Sequence, residues 1–143
     1  MKRSLLDVNV LIAILDVDHI HHERARKWLL ARRAAGWASC PITQNGCIRI
    51  MSQPGYENPL PPAAVIERLA LATRHPSHRF WPAEVSLLDE SVADRTRVHG
   101  PRQVTDLYLL ALAVKNDGSL ATLDATIPLS AIHGATRAHL VAI

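Results

Sequence analysis

Residues 103–124, QVTDLYLLALAVKNDGSLATLD, predict an apolar helix that leads directly into a short buried strand. Thr105 is a favourable helix N-cap, and a carboxylate at Asp106 interacts well with the positive end of the helix dipole. The residues that follow are apolar almost all the way round, so we expect this helix to be buried on most of its surface. An Asn-Asp-Gly turn ends the helix, and the strand after it is followed by Asp124. The stretch is typical of an α/β protein, and it carries one acid at its helix start and another after its strand.

The amino terminus repeats this pattern of a strand followed by an acid. Residues 5–8 predict a buried strand that contains Asp7, and Asn9 is predicted to cap a helix over residues 10–15. In open α/β sheets, ligands bind at the carboxyl ends of the strands. We therefore expect Asp7, Asp106 and Asp124 to meet at one edge of the sheet. Two carboxylates about 4 Å apart repel by about 4 kcal/mol at an effective dielectric near 20, so acids that converge there indicate a bound cation.

The rest of the chain alternates between predicted strands and helices, which favours a parallel sheet covered by helices on both faces. Thr43 is the predicted cap of one of these helices. The amphipathic helix after the proline-rich loop offers Ile66 and Leu71, among others, for burial. Helices are predicted over residues 21–33, 44–51, 63–73 and 87–97, and strands over residues 37–40, 79–81 and 139–143.

Composition indicates one compact domain spanning residues 1–143, because the chain is 48% hydrophobic and has no room for a second domain. The formal charge of +3 and the pI of about 9.2 are compatible with a polyanionic partner without identifying one. Cys40 and Cys47 lack zinc-site spacing, so we interpret them as reduced thiols of a cytoplasmic protein. The chain has no apolar run long enough to span a membrane, and the acids within the first apolar segment exclude a signal peptide.

Three segments together resemble the signature blocks of PIN-domain proteins, most closely the VapC-type toxins of bacterial toxin–antitoxin pairs. They are LLDVNVLIAIL at residues 5–15, PITQNGCIRIMSQP at residues 41–54 and TDLYLLALAVKNDGSLATLD at residues 105–124. The resemblance covers nearly the whole chain. It implies a three-layer α/β/α domain with a central, mainly parallel sheet. It also implies an endoribonuclease that depends on Mg²⁺ or Mn²⁺, is inhibited by a cognate antitoxin protein and forms a homodimer.

The resemblance assigns roles to individual positions of this chain. Asp7, Asp106 and Asp124 match the first, third and fourth acids of the family. Asn9 matches a polar position after the first acid, and Thr122 matches a small hydroxyl position before the last acid.

This chain departs from the family pattern at Gln44, where a glutamate usually supplies the second acid. Glutamine still offers a carbonyl oxygen to a hard cation or to its water, but it brings no charge. The substitution puts the binding of two metal ions in doubt. It is also the one feature that supports the alternative function, a catalytically weak or inactive PIN domain that binds RNA or protein.

Our hypothesis is that Asp7 and Asp106 hold the metal directly, while Asp124 binds it through water or orients the attacking water. Each acid also has a structural explanation when it is considered alone. Asp7 fits a turn at a strand end, Asp106 complements a helix dipole, and Asp124 fits an Asp-turn before Thr126. The hypothesis therefore depends on the three acids lying together.

Several basic residues are candidates for contact with RNA or antitoxin. A basic face on the second predicted helix includes Arg24 and Lys27, and it is equally consistent with an ordinary solvated surface. Arg49, Arg97 and Arg102 lie closer in sequence to the predicted acids.

Two other readings of the sequence are weaker. A zinc site at the cluster of His19, His21 and His22 lacks controlled helical spacing, so we interpret the cluster as a solvated surface. An aspartyl-phosphate phosphatase needs an acid two residues after its nucleophile, and Asn9 occupies that place.

Overall fold

The computed structural model describes residues 1–124 and 126–143, and these residues contain a five-stranded sheet in which every strand pair is parallel. The strands are β1 (Ser4–Leu6), β2 (Trp37–Ser39), β3 (His78–Phe80), β4 (Ser119–Thr122) and β5 (Leu140–Ala142). They lie in the order β3-β2-β1-β4-β5, which places β1 at the centre. Strands β2 and β3 lie on one side of β1, and strands β4 and β5 lie on the other side. The point of reversal lies between β1 and β4.

Helices connect the strands. They are α1 (Val8–Leu15), α2 (His22–Ala31), α3 (Pro41–Met51), α4 (Pro62–Thr73) and α5 (Val104–Lys115), and short 3₁₀ turns include Arg95–Arg97 and Pro101–Gln103. In the part of the chain that the structure describes, no helix combines the length and the apolar character needed to cross a membrane.

The sheet separates two hydrophobic cores, and β1 shows why. Leu5 and Leu6 are both fully buried, but successive side chains of a strand point to opposite faces. Leu5 packs in one core with the apolar residues of α5 and with Leu120 of β4. Leu6 packs in the other core with residues of α1, α3 and α4, and with Ala121. Helices thus cover both faces, and the predicted three-layer α/β/α fold is confirmed.

Three predicted helix caps are wrong. Asp7, not Asn9, caps α1, so that helix begins two residues earlier than predicted. Helix α3 begins at Pro41, since proline at the first helical position is already fixed in a helical φ. Thr43 instead accepts a hydrogen bond from the backbone N–H of Cys40 from within the first turn. Helix α5 continues from the Pro101–Gln103 turn, so Thr105 lies inside it and does not cap it.

The predicted helix over residues 87–97 is also wrong. This segment consists of turns, a 3₁₀ turn at Arg95–Arg97 and a single bridge from Ala93 to Ile132. The side chains of Asp89 and Asp94 each accept a hydrogen bond from the backbone two residues later. Such side-chain bonds compete with helical hydrogen bonds, which explains the error.

Helix α4 is confirmed, but two of the residues expected to be buried on it are not. Val65 and Leu69 face the core, whereas Ile66 is 49% exposed and Leu71 is 68% exposed. Leu71 lines an open apolar cleft between α4 and its neighbours, so its side chain is in contact with other residues but is not buried.

Candidate active site

Two of the predicted acids follow the two strands that flank the point of reversal in the sheet. Asp7 comes directly after β1, and Asp124 lies two residues after the end of β4. The two strands are paired in parallel, and the backbone N–H of Asp7 donates to the carbonyl oxygen of Ala121 at 3.0 Å. In open α/β sheets such a switch point is the place where ligands bind. The fold therefore places these acids at the expected edge.

Asp7 is a buried carboxylate with specific hydrogen-bond partners. Its Oδ1 accepts a hydrogen bond from the backbone N–H of Val8 at 2.7 Å, which caps α1. Its Oδ2 lies 3.1 Å from the hydroxyl of Thr122. The side chain is only 9% exposed. Burial raises the pKa of Asp7, the Val8 and Thr122 hydrogen bonds lower it, and the nearby charge of Asp124 raises it further.

Thr122 connects the first acid with the loop that carries the last one. Its hydroxyl oxygen accepts a hydrogen bond from the backbone N–H of Asp124 at 3.0 Å. The single hydroxyl hydrogen has two acceptors within 3.1 Å, Oδ2 of Asp7 and the carbonyl oxygen of Asp124. Hydrogen bonds to ionised acceptors are the stronger ones, so the hydrogen goes to Asp7 when that carboxylate is charged. Thr122 is 2% exposed, and it holds the two acidic segments in register.

Asp106 lies in the first turn of α5 and is half-buried. Burial, followed by the charges of Asp7 and Asp124, raises the pKa of Asp106 to about 6 from its ordinary 3.8. The two other acids are therefore close enough to Asp106 to affect its proton affinity, although it comes from a distant part of the sequence. The charges of Asp7 and Asp124 thus reach Asp106, and the charge of Asp124 reaches Asp7.

Asp124 differs from the other two acids because it is exposed. Its Oδ1 accepts hydrogen bonds from the backbone N–H and the hydroxyl of Thr126, at 3.0 and 2.8 Å. These bonds lower the pKa of Asp124 and form the Asp-turn that its sequence context predicts. Asp106 and Asp124 both line one cavity of about 230 Å³, together with Arg102, Thr126 and neighbouring residues of the two loops.

The three acids are close neighbours without forming a preassembled cage. Among residues 1–124 and 126–143, no three His, Cys, Asp or Glu side chains already converge as the ligands of a metal ion. Burial is the main cause of the raised pKa values of Asp7 and Asp106, and the charges of neighbouring acids add to it. The edge is thus an acidic pocket with one buried, one half-buried and one exposed carboxylate.

The auxiliary polar residues lie on the first turns of two helices. Asn9 is exposed on α1, directly after the cap formed by Asp7. Gln44 lies on α3, which starts at the carboxyl end of β2, and its amide Nε2 is 2.9 Å from the hydroxyl of Ser39. Sequence reasoning did not find Ser39, because its contact with Gln44 depends on how the first turn of α3 folds back over the end of β2.

The predicted basic contacts separate into two groups. Arg102 lines the acidic cavity directly. Arg97 forms an ion pair with Asp94 at 3.4 Å, so part of its charge is already compensated. Arg49 is exposed on α3, and Arg24 and Lys27 are exposed on α2, which packs against α1.

Comparison with known proteins identifies relatives over nearly the whole chain. Residues 4–130 match the family described as PIN domain. The chain is 55% identical over 141 residues to Ribonuclease VapC44 of Mycobacterium tuberculosis (strain CDC 1551 / Oshkosh), and the match covers 99% of both chains. It is 42% identical to Ribonuclease VapC39 of the same organism over 92% of this chain and 95% of the relative. Ribonuclease VapC29, again from that organism, is 42% identical over 91% of this chain and 90% of the relative.

Proposed function

This chain belongs to the PIN-domain family, in its VapC group, and from that membership we propose that it is a metal-dependent endoribonuclease toxin of a toxin–antitoxin pair. The relatives carry the name ribonuclease over the same length of chain. The single observation that supports a metal-dependent reaction is the position of the three acids: Asp7 and Asp124 follow the paired strands at the switch point of the sheet, and Asp106 lines one cavity with Asp124.

The donor set at this edge fits a hard divalent cation. Carboxylate oxygens are the ligands that Mg²⁺ and Mn²⁺ prefer, and Mg²⁺ is usually bound through one or two carboxylates while it keeps several waters. A site of that kind does not need three preassembled side-chain ligands. Asp7 and Asp106 are the proposed direct ligands, since a bound cation would offset both the burial and the neighbouring negative charges that raise their pKa values. Asp124 has one oxygen engaged with Thr126 and faces solvent, which suits contact through water.

The proposed reaction is hydrolysis of an RNA phosphodiester bond, in which a water oxygen bonds to phosphorus and the bond to the leaving oxygen breaks. When bound, the divalent ion supplies charge stabilisation at the phosphate and makes water more acidic. Asp124 orients the attacking water and accepts a hydrogen bond from it. Thr122 keeps Asp124 and Asp7 at a fixed spacing through its hydroxyl.

Arg102 is the basic residue that we assign to the scissile region of the RNA. It lines the same cavity as Asp106 and Asp124, and a guanidinium can bind a phosphate with two hydrogen bonds. We assign Arg24 and Lys27 to a more distant part of the RNA backbone, where they contribute electrostatic attraction that salt screens.

We also propose an antitoxin partner, a homodimer and a cytoplasmic site of action, where the buried thiols of Cys40 and Cys47 stay reduced.

An apolar cleft of about 300 Å³ lies on the α1, α2 and α4 side of the molecule. Leu30 and Leu71, which line it, are 49% and 68% exposed. Exposed apolar side chains around a cleft favour a protein partner on that face. Coexpression with the cognate antitoxin tests this surface: we expect that the antitoxin no longer neutralises the toxicity of the Leu71→Glu variant. Size-exclusion chromatography with light scattering tests the homodimer separately.

The experiment that tests the nuclease activity compares the purified protein with three variants on a structured RNA. We expect cleavage that EDTA abolishes and Mg²⁺ or Mn²⁺ restores. Asp7→Asn and Asp106→Asn should each lower the rate of RNA cleavage by at least about 100-fold. The fold should be kept, because asparagine caps a helix as well as aspartate does. Asp18→Asn is the matched control, because Asp18 is an exposed acid outside the acidic pocket.

Full activity in Asp7→Asn, or cleavage that persists in EDTA, would contradict the metal-dependent mechanism. Binding of RNA without cleavage by the wild-type protein in Mg²⁺ and in Mn²⁺ would instead favour an inactive binding module.

A further inference from the structure

Three polar side chains form a hydrogen-bonded row at the end of β2 and the first turn of α3, and the proposed reaction uses none of them. We call Gln44, Ser39 and His78 the polar row. Nε2 of Gln44 is 2.9 Å from Oγ of Ser39, and that oxygen is 2.8 Å from Nε2 of His78. Ser39 is fully buried at the end of β2, and His78 begins the neighbouring strand β3. The row therefore connects the first turn of α3 with the outer half of the sheet.

The hydrogen atoms of the polar row have one consistent arrangement. Nε2 of Gln44 donates to Oγ of Ser39, and Nε2 is the ring nitrogen of His78 that contacts the same oxygen. Burial, together with the charge of Arg3, lowers the pKa of His78, which favours the neutral ring with one acceptor nitrogen, and the Ser39 hydroxyl, which already accepts from Gln44, has its hydrogen left to donate. Nε2 is then an acceptor, and the single hydroxyl hydrogen of Ser39 points to it. Oγ of Ser39 can only accept from Gln44, so the amide group that faces it must be the NH₂.

This arrangement determines which atom of the Gln44 amide is free. The NH₂ group is engaged with Ser39, whereas Oε1 accepts no hydrogen bond from any residue in the described part of the chain. A hard cation and its water ligands need an oxygen lone pair, and an NH₂ group in that place would repel the cation.

The polar row lies next to the strand and helix that carry Asp7. Strand β2 pairs with β1, and α3 packs against α1. The approach is closest at Gly46, where an added Cβ would lie only 2.8 Å from Cγ2 of Val8. Val8 is the residue directly after Asp7, so the turn of α3 that carries Gln44 lies against the start of α1.

We propose that Ser39 and His78 are positioning residues that hold the amide of Gln44 with Oε1 turned toward the divalent cation of the acidic pocket. This inference rests on the metal-dependent function proposed above. Gln44 then supplies a neutral oxygen at the place where the family pattern has a carboxylate, without adding to the repulsion among the three acids. Neither Ser39 nor His78 touches the ion or the RNA; both act through Gln44.

The first test is the protonation of His78, measured by NMR on protein with ¹⁵N-labelled histidine in the absence of metal. In the wild-type protein at pH 7.5, we expect the Nε2 resonance of an unprotonated nitrogen. In Gln44→Glu the carboxylate accepts from the Ser39 hydroxyl, which reverses the row, so Nε2 of His78 should carry a hydrogen. Gln44→Leu is the control, because it removes the amide without adding an acceptor and should leave Nε2 unprotonated. A protonated Nε2 in the wild-type protein, or an unchanged resonance in Gln44→Glu, overturns the proposal.

The second test is Mn²⁺ affinity, measured by electron paramagnetic resonance of the free ion. His78→Leu leaves the Ser39 hydroxyl without its acceptor and allows it to donate to Oε1 of Gln44, which turns that oxygen away from the pocket. We expect the affinity to fall about fivefold, the equivalent of one neutral hydrogen bond. His78→Gln retains an acceptor and should bind Mn²⁺ like the wild-type protein. Equal affinities of the Leu and Gln variants overturn the proposal.

The two tests separate this proposal from the nuclease proposal. A wild-type protein that cleaves no RNA contradicts the nuclease function but leaves the His78 resonance and the Mn²⁺ comparison as they are. If the protein cleaves RNA as proposed but Nε2 of His78 carries a hydrogen, only the role of the polar row is contradicted.

Discussion

Replacing Asp106 with asparagine should make the metal-free protein more stable and the metal-bound protein less stable. The physical reason is the pKa of about 6 that burial and the charges of Asp7 and Asp124 give Asp106, compared with 3.8 for the ordinary side chain. A carboxyl group with a raised pKa in the folded state favours folding when it is protonated. That contribution is present at low pH and is lost as the pH rises through 6. At neutral pH the ionised Asp106 therefore destabilises the metal-free fold.

The size of the effect follows from the two pKa values. Each pKa unit corresponds to about 1.4 kcal/mol, so the difference between the two pKa values corresponds to about 3 kcal/mol. Asp106 is half-buried, and solvent screening reduces the figure by about half. Asparagine also loses about 0.5 kcal/mol of favourable interaction with the dipole of α5. We therefore expect Asp106→Asn to stabilise the metal-free protein by about 1 kcal/mol at pH 7.5, or about 3 °C in melting temperature for a chain of this size.

The assay is thermal and urea unfolding in EDTA and in saturating Mg²⁺, from pH 4 to pH 8. In EDTA the variant should be the more stable protein at pH 7.5, and the difference should shrink as the pH falls through 6. In Mg²⁺ at 100 times its dissociation constant, the wild-type protein gains about 2.7 kcal/mol that the variant does not, so the order of stability reverses. Asp124→Asn is the matched control, because the hydrogen bonds of Thr126 lower the pKa of Asp124 and its removal should destabilise the metal-free protein at neutral pH.

The electrostatic destabilisation by Asp106 is refuted if Asp106→Asn is less stable than the wild-type protein in EDTA at pH 7.5. It is also refuted if the gain in stability is the same at pH 4 and pH 8, since a packing effect would not follow the titration of the carboxyl group.

Three further predictions concern the residues around the acids. Thr122→Val removes the buried hydroxyl that donates to Asp7, so we expect the free energy of unfolding to fall by about 1–3 kcal/mol. Mn²⁺ binding should weaken and its pH midpoint should move upward, because that hydrogen bond lowers the pKa of Asp7. Unchanged Mn²⁺ binding would show that the hydroxyl does not support the acid. Gly46→Ala places a methyl group 2.8 Å from Cγ2 of Val8 and should destabilise the protein by about 1–3 kcal/mol, whereas the double variant with Val8→Ala should recover most of the loss in urea unfolding. Arg102→Gln should weaken RNA binding and reduce the slope of log affinity against log salt by about 0.7, and an unchanged slope would mean that Arg102 contacts no phosphate.

The sequence was sufficient to predict the centre of the fold because its strands and helices there are strongly apolar. Leu5 and Leu6 are buried on opposite faces of β1, as expected for a strand covered on both sides. The acids at the ends of β1 and β4 could be predicted to lie together because neighbouring parallel strands end at one edge. Asp106 was predicted correctly to begin a buried helix, although the helix extends further toward its amino terminus than the cap at Thr105 implied.

The sequence was not sufficient where local side-chain bonds or contacts between distant strands decide the structure. The apolar residues of the predicted helix 87–97 do not share one buried face, and Leu88 is 87% exposed. The contact between Ser39 and His78 joins residues that are separated by two whole helices, α3 and α4, and no spacing in the chain indicates it. The exposure of Leu71 depends on an open cleft between helices, which helical periodicity does not predict.

Gln44 connects the stability of this protein with its proposed chemistry. Burial and the charges of neighbouring acids already raise the pKa values of Asp7 and Asp106, and a fourth carboxylate would repel any carboxylate about 4 Å away by about 4 kcal/mol at an effective dielectric near 20. An amide oxygen in that place contributes a ligand without this repulsion, but it also attracts a cation less strongly than a carboxylate does. One divalent ion leaves one of the three negative charges uncompensated, whereas two such ions leave one positive charge in excess, which the phosphate of a bound RNA would have to balance. A first ion therefore needs no RNA for its binding in the site that we propose, and the orientation of the Gln44 amide decides whether that ion gains a further oxygen.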